Sequence, residues 1–193
     1  MLSLFGFGRQ ESGVAALYAA IVEASRRPEF YQAGQVPDTV DGRFELLALH
    51  LVLVLQRLRE ANPDQMGSQI PSATTHLRYK KDADDKMAQE LFDHCFAQLD
   101  LNLREMGVGD MGVGKRIKHM GQSLYGRLTA YEQPDHAALS RNLFGTWPEE
   151  PPESVTTPFL DYMQRSRVFL AGQGLEELRQ GRVAFPAFEG VTA

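Results

Sequence analysis

Arg104–Met120 reads REMGVGDMGVGKRIKHM, and how it is read decides the fold. From Gly109 to Lys115, GDMGVGK satisfies the first seven positions of the phosphate-loop pattern G-x-x-x-x-G-K-[ST]. From Gly107 to Gly112, GVGDMG satisfies G-x-G-x-x-G. Either motif needs a buried strand before the glycines and a helix after them. Here the preceding LDLNLREM continues a helical seam and shows no strand of its own. The position that should ligate Mg²⁺ is Arg116. No βαβ unit surrounds the glycines. The stretch therefore reads as a junction between two helices. Gly107 suits the left-handed residue that ends the first helix. Gly109, Gly112 and Gly114 permit a tight turn and close helix approach. Asp110 is a candidate cap for the second helix. Lys115 and Arg116 open that helix, where free N–H groups still suit an anionic partner.

Moving outward, the segments on both sides carry helical periodicity. Upstream, Ala83–Glu105 places Ala88, Phe92, Cys95, Leu99 and Leu103 on one seam, with acidic residues elsewhere. Downstream, Val113–Tyr131 has a stripe of Val113, Ile117, Met120, Leu124, Leu128 and Tyr131. Nearer the start, Glu11–Arg26 repeats Val14, Leu17, Tyr18, Ile21 and Val22, and Pro28 ends the pattern. Phe30–Gly42 reads as a turn-rich connection, with Asp38 and Asp41 as candidate caps for the next helix. That helix, Arg43–Arg59, contains LLALHLVLVL, Leu46–Leu55, the longest apolar run. It is too short for the ~20 residues that span a bilayer, so it predicts a central buried helix. Residues 61–82 read as a polar surface loop. Asp135–Phe144 is a shorter helix. TWPEEPPESVTTP, with prolines at 148, 151, 152 and 158, reads as a linker. Phe159–Leu170 and Leu175–Gln180 are the last helical candidates. The expected fold is all-α, a compact bundle of about six helices with long loops and an irregular C-terminal tail. The expected organisation is an N-terminal segment 1–10, a helical domain 11–145, and a linker with a helical appendage over 146–193.

Bulk properties narrow the function. Hydrophobic content of 43% and charged content of 23% fit a folded globular chain of 193 residues. A net charge of -5 argues against DNA binding through overall charge but leaves room for a local basic patch. With Cys95 alone, no intramolecular disulfide forms, which suits a reducing compartment. MLSLFGFGRQ lacks the basic region and cleavage site of a signal peptide.

Catalytic and metal-binding patterns are hard to build. The histidines at 50, 76, 94, 119 and 136 give no H-x-x-x-H spacing. His50 in an apolar helix suits a hydrogen-bonded core group. Cys95 on a buried seam suits a small hydrophobe. No Ser–His–Asp or Cys–His arrangement emerges, and the expectation is a non-enzyme with no cofactor and no metal. Between Met111 and Tyr131, however, stand Lys115, Arg116, Lys118 and Arg127 and no acid. Arg116 and Arg127 share a helical flank. Such a helix offers a docking surface for an anionic membrane or for a ribosome.

Two blocks carry a resemblance. RRPEFYQAGQVPDTVDGRFELLALHLVLVLQRL, Arg26–Leu58, and ELFDHCFAQLDLNLREMGVGDMGVGKRIKHMGQSLYGRLTAY, Glu90–Tyr131, together resemble the ubiquinol–cytochrome c chaperone family. The resemblance extends over about residues 14–145 and rests most on VPDTVDGRFELL and LREMGVGD. It implies a helical, non-enzymatic assembly factor for the ubiquinol–cytochrome c reductase that binds newly made cytochrome b. Mitochondrial members act near the ribosomal tunnel exit with a small partner subunit. Without a mitochondrial-type presequence, this chain is similar to bacterial members. That implies the cytoplasm, peripheral to the inner face of the inner membrane.

A chaperone of so apolar a client needs an adaptable apolar surface, and methionines supply one. Met106, Met111 and Met120 gather at the helix junction with Tyr125 nearby, and Phe30, Tyr31 and Val36 are a second candidate lining. The partner-binding candidates are Pro37, Asp38, Asp41, Arg43, Arg104, Met106, Asp110, Met111, Lys115, Arg116, Lys118, Tyr125 and Arg127. Asp38, Asp41, Arg43 and Glu45 are expected to cap a helix and to pair with Arg104 or Lys115. The competing reading is an adaptor that docks through the basic helix, with MLSLFGF as a shallow anchor.

Overall fold

The computed structural model describes the backbone of residues 7–60, 83–105 and 110–190. The loop expected over 61–82 lies outside the described residues, as do residues 106–109 of the helix break expected over Met106–Gly112; the remainder of that break, 110–112, is helical. Among the described residues there are eight helices: α1 (Phe7–Ser25), α2 (Glu29–Gln32), α3 (Val40–Glu60), α4 (Ala83–Glu105), α5 (Asp110–Ala130), α6 (His136–Leu143), α7 (Glu153–Ala171) and α8 (Leu175–Arg179). Six of them have eight residues or more, and α2 and α8 are single turns. No strand occurs among the described residues, so the chain is an all-α bundle.

Helix α3 is the hub. Every residue from Leu46 to Leu55 is at most 9% exposed, including His50 at 0%. A helix with no polar face must be covered on all sides. Helices α1, α4, α5, α6 and α7 all pack against it. The α1 stripe lands as its spacing predicts, with Val14, Leu17, Tyr18 and Ile21 buried. The α4 seam buries Ala88, Cys95, Leu99 and Leu103, and its Phe92 packs 5.4 Å from the Tyr125 ring of α5.

The glycine stretch is helical from its first described residue. Asp110 to Lys115 form the opening turns of α5, so their backbone is not laid out as a phosphate-binding loop. One glycine reading changes. A Cβ at Gly114 would meet nothing within 4 Å, so no close helix approach requires it. The close approach occurs at Gly121, where a Cβ would lie 3.3 Å from the Phe96 ring of α4.

The C-terminal third corrects the expectation of a linker and appendage. Pro151 and Pro152 precede α7, but Pro158 sits inside it. The proline removes one intrahelical hydrogen bond. Burial of Val155, Phe159, Tyr162, Met163 and Leu170 against α3 and α6 offsets that loss. The segment after α8 has no regular structure, yet Phe185 and Phe188 are core residues. Phe188 lies 4.9 Å from the Phe30 ring and 4.7 Å from that of Phe159. Backbone carbonyls of this tail accept side-chain donors from the bundle. Arg27 Nη1 donates to Pro186 O at 2.8 Å, and Gln173 Nε2 donates to Ala184 O at 2.8 Å. Helix α2 was also hidden, in what reads as a turn-rich connection; its Phe30 is fully buried.

Within this aromatic cluster His50 behaves as a core group. Its Nδ1 lies 2.8 Å from Leu46 O, a pure acceptor, so Nδ1 carries the proton. Nε2 then accepts from the Tyr162 hydroxyl at 2.8 Å. Burial pulls the His50 pKa down from 6.5 to about 4.

Both the tail and the histidine can be tested through stability. Phe188→Ala is expected to lower unfolding stability by about 3 kcal/mol, as cavities in packed cores do. A denaturant midpoint unchanged by that substitution would mean that the tail is not part of the core. For His50, the unfolded state binds a proton near pH 6.5 that the folded state refuses until about pH 4. Stability is therefore complete above that window and falls as pH drops through it, by about 2 kcal/mol at pH 5. Urea unfolding at neutral pH and at pH 5 is expected to show this loss in wild type and to lack it in His50→Gln.

Candidate functional site

An apolar groove of about 520 Å³ opens on the surface where α1, α3, α4 and α5 meet. Three ridges with helical spacing build it. Helix α1 and the turn after it contribute Tyr18, Val22 and Arg26, each four positions apart. Helix α3 contributes Val40, Phe44 and Leu47, and α4 contributes Leu99, Asn102 and Leu103. Met120 of α5 completes the wall. Val40 is 61% exposed, unusual for a valine at the start of an otherwise buried helix. Arg43 and Glu105 also face the groove.

The loop before α3 is held in shape locally. Gly42 N donates to the Thr39 hydroxyl at 3.1 Å, so Thr39 rather than Asp38 or Asp41 caps the helix. Asp38 is engaged instead by Arg43, whose Nε donates to it at 2.6 Å. That hydrogen bond holds the Asp38 carboxyl below its ordinary pKa. Asp41 is exposed in the first helical turn, where its charge suits the helix dipole. A Cβ at position 42 would collide with Pro37 O, so only glycine lets the first turn of α3 sit on the loop.

A second interaction fixes α5 against α3. Glu45 is 7% exposed. Arg127 Nε donates to Glu45 Oε2 at 2.9 Å, and Arg127 Nη2 donates to Glu45 Oε1. The guanidinium also donates to Ser123 O at 3.2 Å. Burial pushes the Glu45 carboxyl upward in pKa, and the Arg127 hydrogen bond opposes that rise.

The sequence candidates therefore separate. Arg43 and Met120 border the groove, and Asp38 stands beside it through Arg43. Pro37 supports α3. Arg104 pairs along its own helix with Asp100 at 2.7 Å. Tyr125 stacks at the α4–α5 contact. Met106 lies outside the described residues, as do the side chains of Asp110, Met111, Lys115 and Arg116. Lys118 is exposed on α5. Arg127 is the clear correction: it is committed to Glu45, so it is not part of a basic docking flank. Glu45 likewise pairs with Arg127. Phe30 and Val36 are core residues, so they line no client surface, while Tyr31 borders a separate hollow. Sequence reasoning missed Tyr18, Val22, Arg26, Val40, Phe44 and Leu47 as groove residues. Their i, i+4 spacing was visible, but it looked like core.

These features have counterparts in known proteins. The family model described as "Ubiquinol-cytochrome C chaperone" matches residues 32–185. The crystal structure of the Cbp3 homolog from Brucella abortus is 31% identical, covers 94% of this chain and 92% of that one, and superimposes with a TM-score of 0.70. No curated protein matches the chain. The chain belongs to the ubiquinol–cytochrome c chaperone family. The match reaches beyond residue 145 into α7 and the tail, the same segments that complete the core.

The buried ion pair leads to a clear expectation. Arg127→Met leaves a buried carboxylate without a partner and is expected to cost about 3–5 kcal/mol at neutral pH. Replacing both partners, Glu45→Leu with Arg127→Met, is expected to recover most of the loss in a denaturant titration. Equal stability of the single variant and wild type would show that the pair does not hold α5 in place.

Proposed function

We propose that this chain is a non-enzymatic holding chaperone for newly made cytochrome b in assembly of the ubiquinol–cytochrome c reductase, and that the α1/α3/α4/α5 groove receives the client. One observation carries the proposal. The two sequence blocks that mark the family resemblance, Arg26–Leu58 and Glu90–Tyr131, lie far apart in the chain and converge on this groove. Its lining is chemically suited to a membrane-protein client. Apolar side chains form the floor, Met120 offers an adaptable wall, and Val40 stands exposed at the rim.

The proposed place of action is the inner face of the inner membrane, reached peripherally. Among the described residues no helix is long and apolar enough to cross a membrane. Lys118 remains an exposed positive charge on α5, but with Arg127 committed to Glu45 the basic helix gives weaker support to a docking adaptor.

Affinity co-purification from the protein's own cells tests the reading. Tagged wild type is expected to bring cytochrome b with it. Val40→Asp and Met120→Glu place charge on the groove, the first at an exposed rim and the second on a half-buried wall packed against the core, and are expected to lower recovery about tenfold. Thermal unfolding of Val40→Asp should stay close to wild type, so that its loss of recovery reads the groove and not the fold. Undiminished cytochrome b recovery by both variants would remove the groove from consideration.

A further inference from the structure

We propose that the groove selects apolar segments that are followed by acidic residues, and that Arg26 reads the acid. The inference rests on the groove being the client surface.

A second hollow, of about 390 Å³, adjoins the groove and is lined by Pro28, Tyr31, Gln32 and Asp38 together with Arg26 and Arg43. Arg26 and Arg43 thus stand on the border between an apolar trough and a polar one. The two arginines are not equivalent. Arg43 is taken up by Asp38 at 2.6 Å. Arg26 is exposed, makes no ion pair or side-chain hydrogen bond among the described residues, and acts on Asp38, Tyr31 and Tyr18 only at longer range. An available guanidinium presents a planar fork of donors that matches a carboxylate. Arg26, Arg43 and Glu105 are the ionised residues lining the groove, and with Arg43 taken up by Asp38 the unpaired positive charge at the border is that of Arg26.

An occupant crossing the border therefore meets two demands. Its apolar side chains fit against Tyr18, Phe44, Leu47 and Met120, and its next residues pass over Arg26. Carboxylates there are attracted and ammonium groups repelled. A continuing peptide also supplies N–H donors to Asp38 and Gln32 in the second hollow. A lipid headgroup phosphate lacks the run of backbone N–H donors that a peptide carries past its acid, so the polar hollow favours a polypeptide over a membrane.

Binding of synthetic peptides measured by fluorescence anisotropy tests this. The peptides share one apolar stretch and end in glutamates, glutamines or lysines. The full chain is expected to bind the glutamate peptide about fivefold more tightly than the glutamine peptide, in the range of exposed charge pairs. Arg26→Gln should erase that difference, Arg26→Glu should turn the preference toward lysine, and added salt should shrink it. Equal affinities on wild type, or a glutamate preference that survives Arg26→Glu, would overturn the proposal. So would Arg26-dependent binding to phosphatidylglycerol vesicles without any peptide preference, which would assign the site to a membrane. Cytochrome b recovery separates this failure from failure of the client reading. If Val40→Asp and Met120→Glu lose the client while the peptides show no preference, only the reading of acid by Arg26 falls. If both variants keep the client, the groove reading falls and takes this one with it.

Discussion

The structure depends on the need to cover α3 on every side. A helix whose middle turns carry leucine, valine and alanine at nearly all positions cannot face water anywhere. Burying each large aliphatic side chain contributes about 1.5–3 kcal/mol, so leaving even one face open would forfeit much of a typical domain's net stability. The remaining helices are arranged by this demand. Helices α1, α4 and α5 pack on α3, with α4 in turn against both α1 and α5, and α6 and α7 pack on it as a pair. Polar groups on α3 are admitted only with partners: His50 between Leu46 O and Tyr162, Glu45 against Arg127, Arg57 on Leu170 O. The groove exists because α3 emerges from its sheath at its N-terminal end, where Val40, Arg43 and Phe44 are no longer fully enclosed.

Several polar contacts among the described residues are long side chains reaching helix ends. Arg57 of α3 donates to Leu170 O and Gln173 O at the end of α7. Arg167 of α7 donates to Tyr131 O and Glu132 O beyond the end of α5, where Gln56 also donates to Tyr131 O at 3.0 Å. Carbonyls at a helix C-terminus lack intrahelical partners, and cations suit the negative end of the dipole. These contacts fix how far α5 and α7 extend relative to α3. Met120 stands at the middle of α5, so the groove wall it supplies is positioned in part by interactions at the C-terminal end of its own helix.

The reach of each sequence signal decided how legible it was. The α3 run announced a buried helix because no polar period interrupts it, and the α1 and α4 stripes were readable over a few turns. His50 was readable as core because its neighbours left it nowhere else to go. Helix α7 was obscured by Pro158, since local propensity argued against a helix that tertiary burial sustains. The pairing of Glu45 with Arg127 spans 82 positions and leaves no local trace, so Arg127 looked like a surface charge. The groove was hidden for a related reason. Each of its ridges reads alone as ordinary core, and only the packing of four helices shows that they border open space.

The tail has a consequence for synthesis and folding. Phe188 completes a cluster begun by Phe30, and Arg27 binds Pro186 across 159 positions of chain. The centre of the molecule is thus assembled from segments made early and segments made late. On a ribosome, the helices that wrap α3 emerge before the aromatic residues that seal it, and the apolar face of α2 waits unsealed in the interval. Pairings so distant in sequence cannot form until the late segment has been made, and their loop-closure cost grows only slowly with separation. A protein built to shelter an unfinished chain must itself pass through an unfinished stage, and its own length of exposure is set by the distance between residues 30 and 188.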